Sequence, residues 1–329
     1  MPISRLDALG ITAAYRRQKV DELSRAFRAS LAVEHSAIEK SDVDVLAAIF
    51  DQSIGDAQSL LTTVGTASYD LFCRRYAGTY FGYQQSIEID SIRFAIDCLL
   101  SQGGITDDQW QAMLVALCVA MSRCSNSTGH FAQSLYPKIS NIKKVIVQRR
   151  RSIAAEWLNA IGDVSPVGDR AWREGNRAFR KDAVELLAGF DKMQQIPAVV
   201  YADPPYTKDQ YSRYYHVYET AVLYDYPTCS GMGLYRPDRP SSPFSLASKV
   251  EEAMDSLIGA VAKLGSCLVL SYPENGLLSH STEVIPRMIK SHFGIDPDSI
   301  RVSHQHSTMG GSKGVHAHSV TEVIYRVIT

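Results

Sequence analysis

Val199-Val200-Tyr201-Ala202-Asp203-Pro204-Pro205-Tyr206 is the stretch on which the reading of this chain turns. It follows AVELLAGF (residues 183–190), which has a helical spacing of apolar residues, and it ends on an acid, two prolines and an aromatic. The pattern predicts a buried strand that delivers Asp203 to the carboxyl edge of a sheet, where open α/β sheets bind ligands. Such a turn suits a planar base with an exocyclic amine. A carboxylate at 203 accepts one amine N–H, a carbonyl of the proline-locked turn accepts the other, and neither proline competes as a donor. Tyr206 offers a flat face for stacking, worth about 1–3 kcal/mol per base. Two acceptors on one amine draw its lone pair out of conjugation with the ring and leave a usable nucleophile.

Downstream, a helix pattern (249–264), the strand SCLVLSY (266–272), a helix near 282–292, a strand near 300–304 and the strand VTEVIYRV (320–327) follow in turn. Helices alternating with apolar strands predict a mostly parallel sheet covered on both faces. Upstream the texture is helical. One helical pattern runs through 13–39, Ser41 and Asp42 cap the next, and others lie near 56–64, 84–100 and 107–124, the last opening on Thr106-Asp107-Asp108. Val145 to Val147 is a short β-branched run before Arg149-Arg150-Arg151, and Pro237, Pro240 and Pro243 stiffen a surface loop.

The 329 residues are 45% hydrophobic and 21% charged, which excludes a disordered, collagenous or coiled-coil chain. A net charge of −1 confines any nucleic-acid surface to a local patch. No apolar run spans a bilayer and MPISRLDALG lacks the apolar core of a signal peptide, so no membrane association and a cytoplasmic location are expected. The six cysteines form no C-x-x-C pair and read as thiols of a reducing compartment.

The Asp203-Pro204-Pro205-Tyr206 tetrad resembles motif IV of the amino-methyltransferases that modify adenine N6 or cytosine N4 in DNA. DPPYTKDQYSRYYHVYETAVLYDY (203–226) is similar to the corresponding stretch of the D12-class DNA adenine methylases. Asn176-Arg177-Ala178-Phe179 with Lys181-Asp182-Ala183 resembles that family's motif III, and Leu270-Ser271-Tyr272 with Glu274-Asn275-Gly276 its motif VI region. Tyr80-Phe81, residues 89–93 and SNSTGHF (125–131) resemble its helical insert. The resemblance covers about residues 75–327 and implies a Rossmann-like class I methyltransferase α/β sheet with S-adenosyl-L-methionine as methyl donor. It implies that Asp203, Pro204, Pro205 and Tyr206 are catalytic. Asp182 and Ala183, with Asp203, are implied at the cofactor.

One departure shapes the expected assembly. The family opens on a basic segment and a glycine-rich F-x-G-x-G motif I that wraps the cofactor's methionine end, and residues 1–75 contain neither. Glycine is needed there so that backbone can approach the ligand. Three segments are expected: 1–75, helical, in place of motifs X, I and II; 76–160, a helical insert for target recognition; and 161–329, the methyltransferase core. Two explanations stand. A second subunit supplies the glycine motif to an adenine-N6 DNA methyltransferase of a restriction-modification or phage-defence system, or the chain is a non-catalytic nucleic-acid-binding or assembly subunit. Methylation of an RNA or protein amino nitrogen is a third reading.

Candidate DNA contacts are Tyr211, Arg213 and His216 after motif IV, and Lys143, Lys144, Arg149 and Arg150 within the basic stretch 138–151. Lys313 lies in the glycine-rich loop GGSKG (310–314) and is a further backbone-contact candidate. His304, His306, His316 and His318 read as polar flanks of that loop, and no metal site is expected.

Overall fold

A computed structural model describes residues 3–60, 68–164, 166–190, 196–307 and 317–328. In chain order the elements are α1 (Arg5–Ala26), α2 (Arg28–Lys40), α3 (Val43–Ser59), α4 (Leu71–Arg75), α5 (Tyr83–Ser101), α6 (Asp107–Cys124), α7 (Ile142–Arg149), α8 (Ile153–Asp163), α9 (Arg170–Arg173), α10 (Ala183–Phe190), β1 (Val199–Ala202), α11 (Ser212–Leu223), α12 (Val250–Leu264), β2 (Cys267–Pro273), α13 (Ser281–Phe293), β3 (Asp298–Ser307) and β4 (Ala317–Val327). No described helix is long and apolar enough to cross a membrane. All six cysteines are free thiols, and no described cluster of His, Cys, Asp and Glu could hold a metal.

Two compact units divide the chain. The first joins Met1–Glu174 to Arg213–Arg239, so residues 1–75 and 76–160 lie in one unit, and the segment after motif IV belongs to it as well. The expected boundary at 160/161 falls inside α8. Local chemistry fixes many of its helix ends. Asp42 caps α3 by accepting from Val45 N–H at 3.1 Å. Thr106 and Gln109 cap α6 reciprocally. The single helix expected over 13–39 is broken at Phe27, which separates α1 from α2. The β-branched run at 145–147 is helical, within α7, because Val145 and Ile146 turn inward while Lys143 and Lys144 face water.

Buried polar groups lock this unit. The Asp90 carboxylate accepts Phe72 N–H and Cys73 N–H at 2.9 Å each and the Tyr224 hydroxyl, tying α5 to the start of α4 and the end of α11. Burial still pushes its pKa up to about 7. Glu34 of α2 pairs with Arg149 of α7 where both side chains are almost wholly buried.

The second unit, Gly175–Ser212 with Pro240–Thr329, holds a four-stranded sheet in the order β1-β2-β4-β3. β1 and β2 are parallel, with Val199 opposite Cys267 and Ala202 opposite Leu270. β4 runs antiparallel to both β2 and β3. The expected mostly parallel sheet is therefore corrected: one of three pairings is parallel, because β4 enters between β2 and β3 instead of extending the parallel run.

The expected cover on both faces is also corrected within this unit. Ala202, Leu268, Leu270, Tyr272, Val323, Tyr325 and Val327 point to one face and share a core with Leu257, Ile258 and Val261 of α12 and Ile285 and Ile289 of α13. The register places Val199, Tyr201, Ile300 and Val302 on the opposite face. There Val199 is 55% and Tyr201 64% exposed, and Ile300 and Val302 are also exposed. Among the described residues no strand pairs with the outer edge of β1.

Candidate active site

β1 is short because its sequence stops at Asp203-Pro204, where proline's fixed φ and missing N–H end the ladder. Alternation along the strand carries Asp203 onto the face shared by Val199 and Tyr201, and it is exposed there. Pro204 beneath it is buried. Tyr206 is half-buried against the apolar core of the sheet and α12. Its carbonyl accepts Leu277 N–H at 2.8 Å, so the turn after β2 holds the turn after β1. The segments resembling motif IV and motif VI thus meet through a backbone hydrogen bond.

Gly276 makes that meeting possible. A Cβ at 276 would lie 2.5 Å from Cε1 of the Tyr272 ring, which is buried and whose hydroxyl accepts Leu278 N–H at 3.0 Å. Only glycine lets the 273–278 turn lie flat on that ring.

The sequence reading missed Glu322. It sits on β4 on the same face as Asp203, and its Oε1 accepts the Ser271 hydroxyl at 2.7 Å. Desolvation raises the Asp203 pKa above the ordinary carboxylate value, and the Glu322 charge raises it further. Tyr206 is raised by desolvation, then by Glu322 and Asp203. Nothing short-range in sequence links residue 322 to residue 203; only the strand order brings them together.

Other predicted residues are placed unequally. The Asp182 Oδ1 accepts Val184 N–H at 2.9 Å and Glu185 N–H at 3.1 Å and so caps α10, with Ala183 as its first residue. Arg213 is exposed and Tyr211 half-buried. Lys143, Lys144 and Arg150 are exposed, as the basic-patch reading requires. Arg149 is not part of that patch: its guanidinium is buried on Glu34 and also donates to Gly78 O at 2.7 Å. His216 is likewise corrected as a DNA contact, being wholly buried with Nε2 donating to Phe131 O at 2.8 Å. Lys313 lies outside the described residues. His306 pairs with His318 across β3 and β4.

A methyl-donor cradle needs a glycine turn at the carboxyl end of a strand. β1 ends on Asp203-Pro204 and β2 runs into the turn that packs on Tyr272, while the glycine-rich loop 310–314 that follows β3 lies outside the described residues.

Comparison with known proteins agrees with the geometry. Residues 183–259 match the D12 class N6 adenine-specific DNA methyltransferase family. Modification methylase LlaI of Lactococcus lactis subsp. lactis is 27% identical over 191 residues, 57% of this chain and 28% of the relative. Modification methylase StsI of Streptococcus sanguinis is 25% identical over 75% of this chain and 32% of its own length. Type II methyltransferase M.FokI of Planomicrobium okeanokoites is 28% identical over 65% of this chain and 29% of its own. The chain thus spans about a third or less of each of these three relatives. No solved structure matches significantly. The segment from α10 through motif IV into α12 is thus the part of this chain that matches the D12 class N6 adenine-specific DNA methyltransferase family, and the chain is similar to type II modification methylases.

Proposed function

We propose that this chain is the motif-IV subunit of an S-adenosylmethionine-dependent DNA adenine-N6 methyltransferase, serving a restriction-modification or phage-defence system in the cytoplasm. The observation that carries the reading is Asp203-Pro204-Pro205-Tyr206 at the carboxyl end of an edge strand whose outward residues are exposed and apolar. Ionised Asp203 and the Pro204 carbonyl accept the two N–H groups of an extruded adenine's amine, and Tyr206 stacks on the base. Pro205 keeps the turn rigid. S-adenosylmethionine supplies the electrophilic methyl group in this class, and its glycine cradle belongs to a second subunit that adds a parallel strand along β1. Asp182 lies at the start of α10 for a contact to the donor's adenine. The division into a helical part for target recognition and a methyltransferase part is retained in this reading.

The test is methyl incorporation into duplex DNA by this chain, alone and co-expressed with a genomic neighbour carrying F-x-G-x-G. Incorporation at adenine N6 that requires both chains and is abolished by Asp203→Ala is expected. Full activity of Asp203→Ala would move the chain to a non-catalytic binding role.

A further inference from the structure

The turn following α11 holds an aromatic platform that motif IV does not use. Ser230 and Tyr235 exchange backbone hydrogen bonds at 3.0 and 2.8 Å, closing a tight turn. The Tyr235 ring lies against Gly233, where a Cβ would come within 2.4 Å of it, and 5.1 Å from the His216 ring. Its hydroxyl donates to Ala132 O, so the ring is fixed in plane and in tilt.

Two guanidinium groups are seated on that ring. Arg213 donates through Nη2 at 3.0 Å and Nε at 3.3 Å to the Tyr235 hydroxyl oxygen. Its guanidinium carbon is 5.2 Å from the ring centroid and that of Arg239 is 4.4 Å from it. Arg239 spends Nε on Arg236 O at 3.0 Å, and among the described residues its outer nitrogens have no hydrogen-bond partner. Asp225 and Asp238 both pair with the buried Arg236. Arg213 also stands in the first turn of α11, which has no acidic residue, so the helix dipole and the cation there favour the same anion. Burial lowers the His216 pKa to about 4; the hydrogen bond to Phe131 O opposes this, and the Arg239 and Arg236 charges add to the lowering.

We propose that Arg213 and Arg239, positioned by Tyr235, form a clamp for the phosphate backbone of duplex DNA. Planar guanidinium forks match phosphate oxygens, and their seating on a rigid ring lowers the entropy lost on binding. The choice of DNA rests on the proposed function; the phosphate chemistry rests on the two arginines.

The experiment is fluorescence anisotropy of the full chain with labelled duplex DNA between about 50 and 200 mM salt. The slope of log K against log salt should fall in magnitude by about one for Arg239→Ala and about two for Arg213→Ala/Arg239→Ala. Arg213→Lys/Arg239→Lys should restore the slope, which separates a lost charge from a lost fold. Unchanged slopes in the alanine variants, equal losses in the lysine variant, or no duplex binding by the wild type at the lowest salt would each overturn the clamp. Calorimetric titration with inorganic phosphate is the second arm. Tight phosphate binding with unchanged DNA slopes would make this a free-anion site and overturn the proposal. Slopes that change as expected in a chain whose assembly never methylates DNA would uphold the clamp and sink the enzymatic reading.

Discussion

The Ser271 hydroxyl on β2 donates to the Glu322 carboxylate on β4 at 2.7 Å, and this bond holds a second acid on the face that carries Asp203. Glu322 adds to the desolvation that raises the Asp203 pKa. In the proposed reaction ionised Asp203 is the stronger acceptor for an amine N–H, so methyl transfer should be lost as pH falls through that raised pKa. Glu322→Gln removes the like charge, lets Asp203 stay ionised to lower pH, and should shift the acid limb of the kcat profile downward. Initial methylation rates of wild type and variant across an acid pH series check this. An unmoved limb would remove Glu322 from the site.

Gly276 should be intolerant of even one added carbon. Alanine there drives Cβ into the buried Tyr272 ring, and the turn must lift off it, taking the Leu277 N–H away from Tyr206 O. Overpacking of this kind costs about 1–3 kcal/mol. Gly276→Ala is expected to lower the melting temperature of the chain and to reduce kcat for methylation. Gly265→Ala serves as the comparison: its Cβ would meet nothing, although its positive φ carries a conformational cost.

Much of this was legible in the sequence, for identifiable reasons. Helix α6 is bounded by a capping box and a long apolar stripe, both local signals, and the motif-IV strand announces itself by ending on Asp-Pro-Pro. Strand order was not legible. β3 and β4 read as successive apolar runs, and their insertion as an antiparallel pair depends on long-range pairing that leaves no local trace. Glu322 was invisible for the same reason. Arg149 and His216 were misread because residue type reports charge and not direction. A basic triplet at a helix end looks solvent-facing, yet the first of the three turns inward to meet Glu34, a partner far away in sequence.

That inward turn has a measurable consequence. Arg149→Met leaves the Glu34 carboxylate buried with, among the described residues, only Tyr83 N–H to satisfy it, and breaking a buried pair in this way costs about 3–5 kcal/mol. Chemical denaturation should show a loss of that order, with the salt dependence of DNA binding unchanged in the folded variant. Lys143→Ala/Lys144→Ala should do the reverse, leaving stability alone and flattening the salt slope. A flattened slope in Arg149→Met would return this arginine to the DNA-contact set.

The edge of β1 gives the sharpest test of a second subunit. Cys267 N–H donates to Ala198 O, so alternation along β1 turns the N–H and C=O of Val199 and Tyr201 away from β2. These are the groups an added parallel strand would use, and exposed edges of apolar strands are normally paired or covered. Proline at 201 deletes one outward N–H and leaves the β1–β2 ladder untouched, since edge strands accept proline on their free side. Tyr201→Pro should therefore leave the thermal stability of the isolated chain close to wild type while abolishing co-elution with the subunit that carries F-x-G-x-G. The added strand and the apolar face beside it should bury on the order of 2,000 Å² or more, an obligate-type interface. Size-exclusion chromatography with light scattering on co-expressed pairs reads the outcome. Undiminished association of the Tyr201→Pro chain would show that the partner docks elsewhere than on β1.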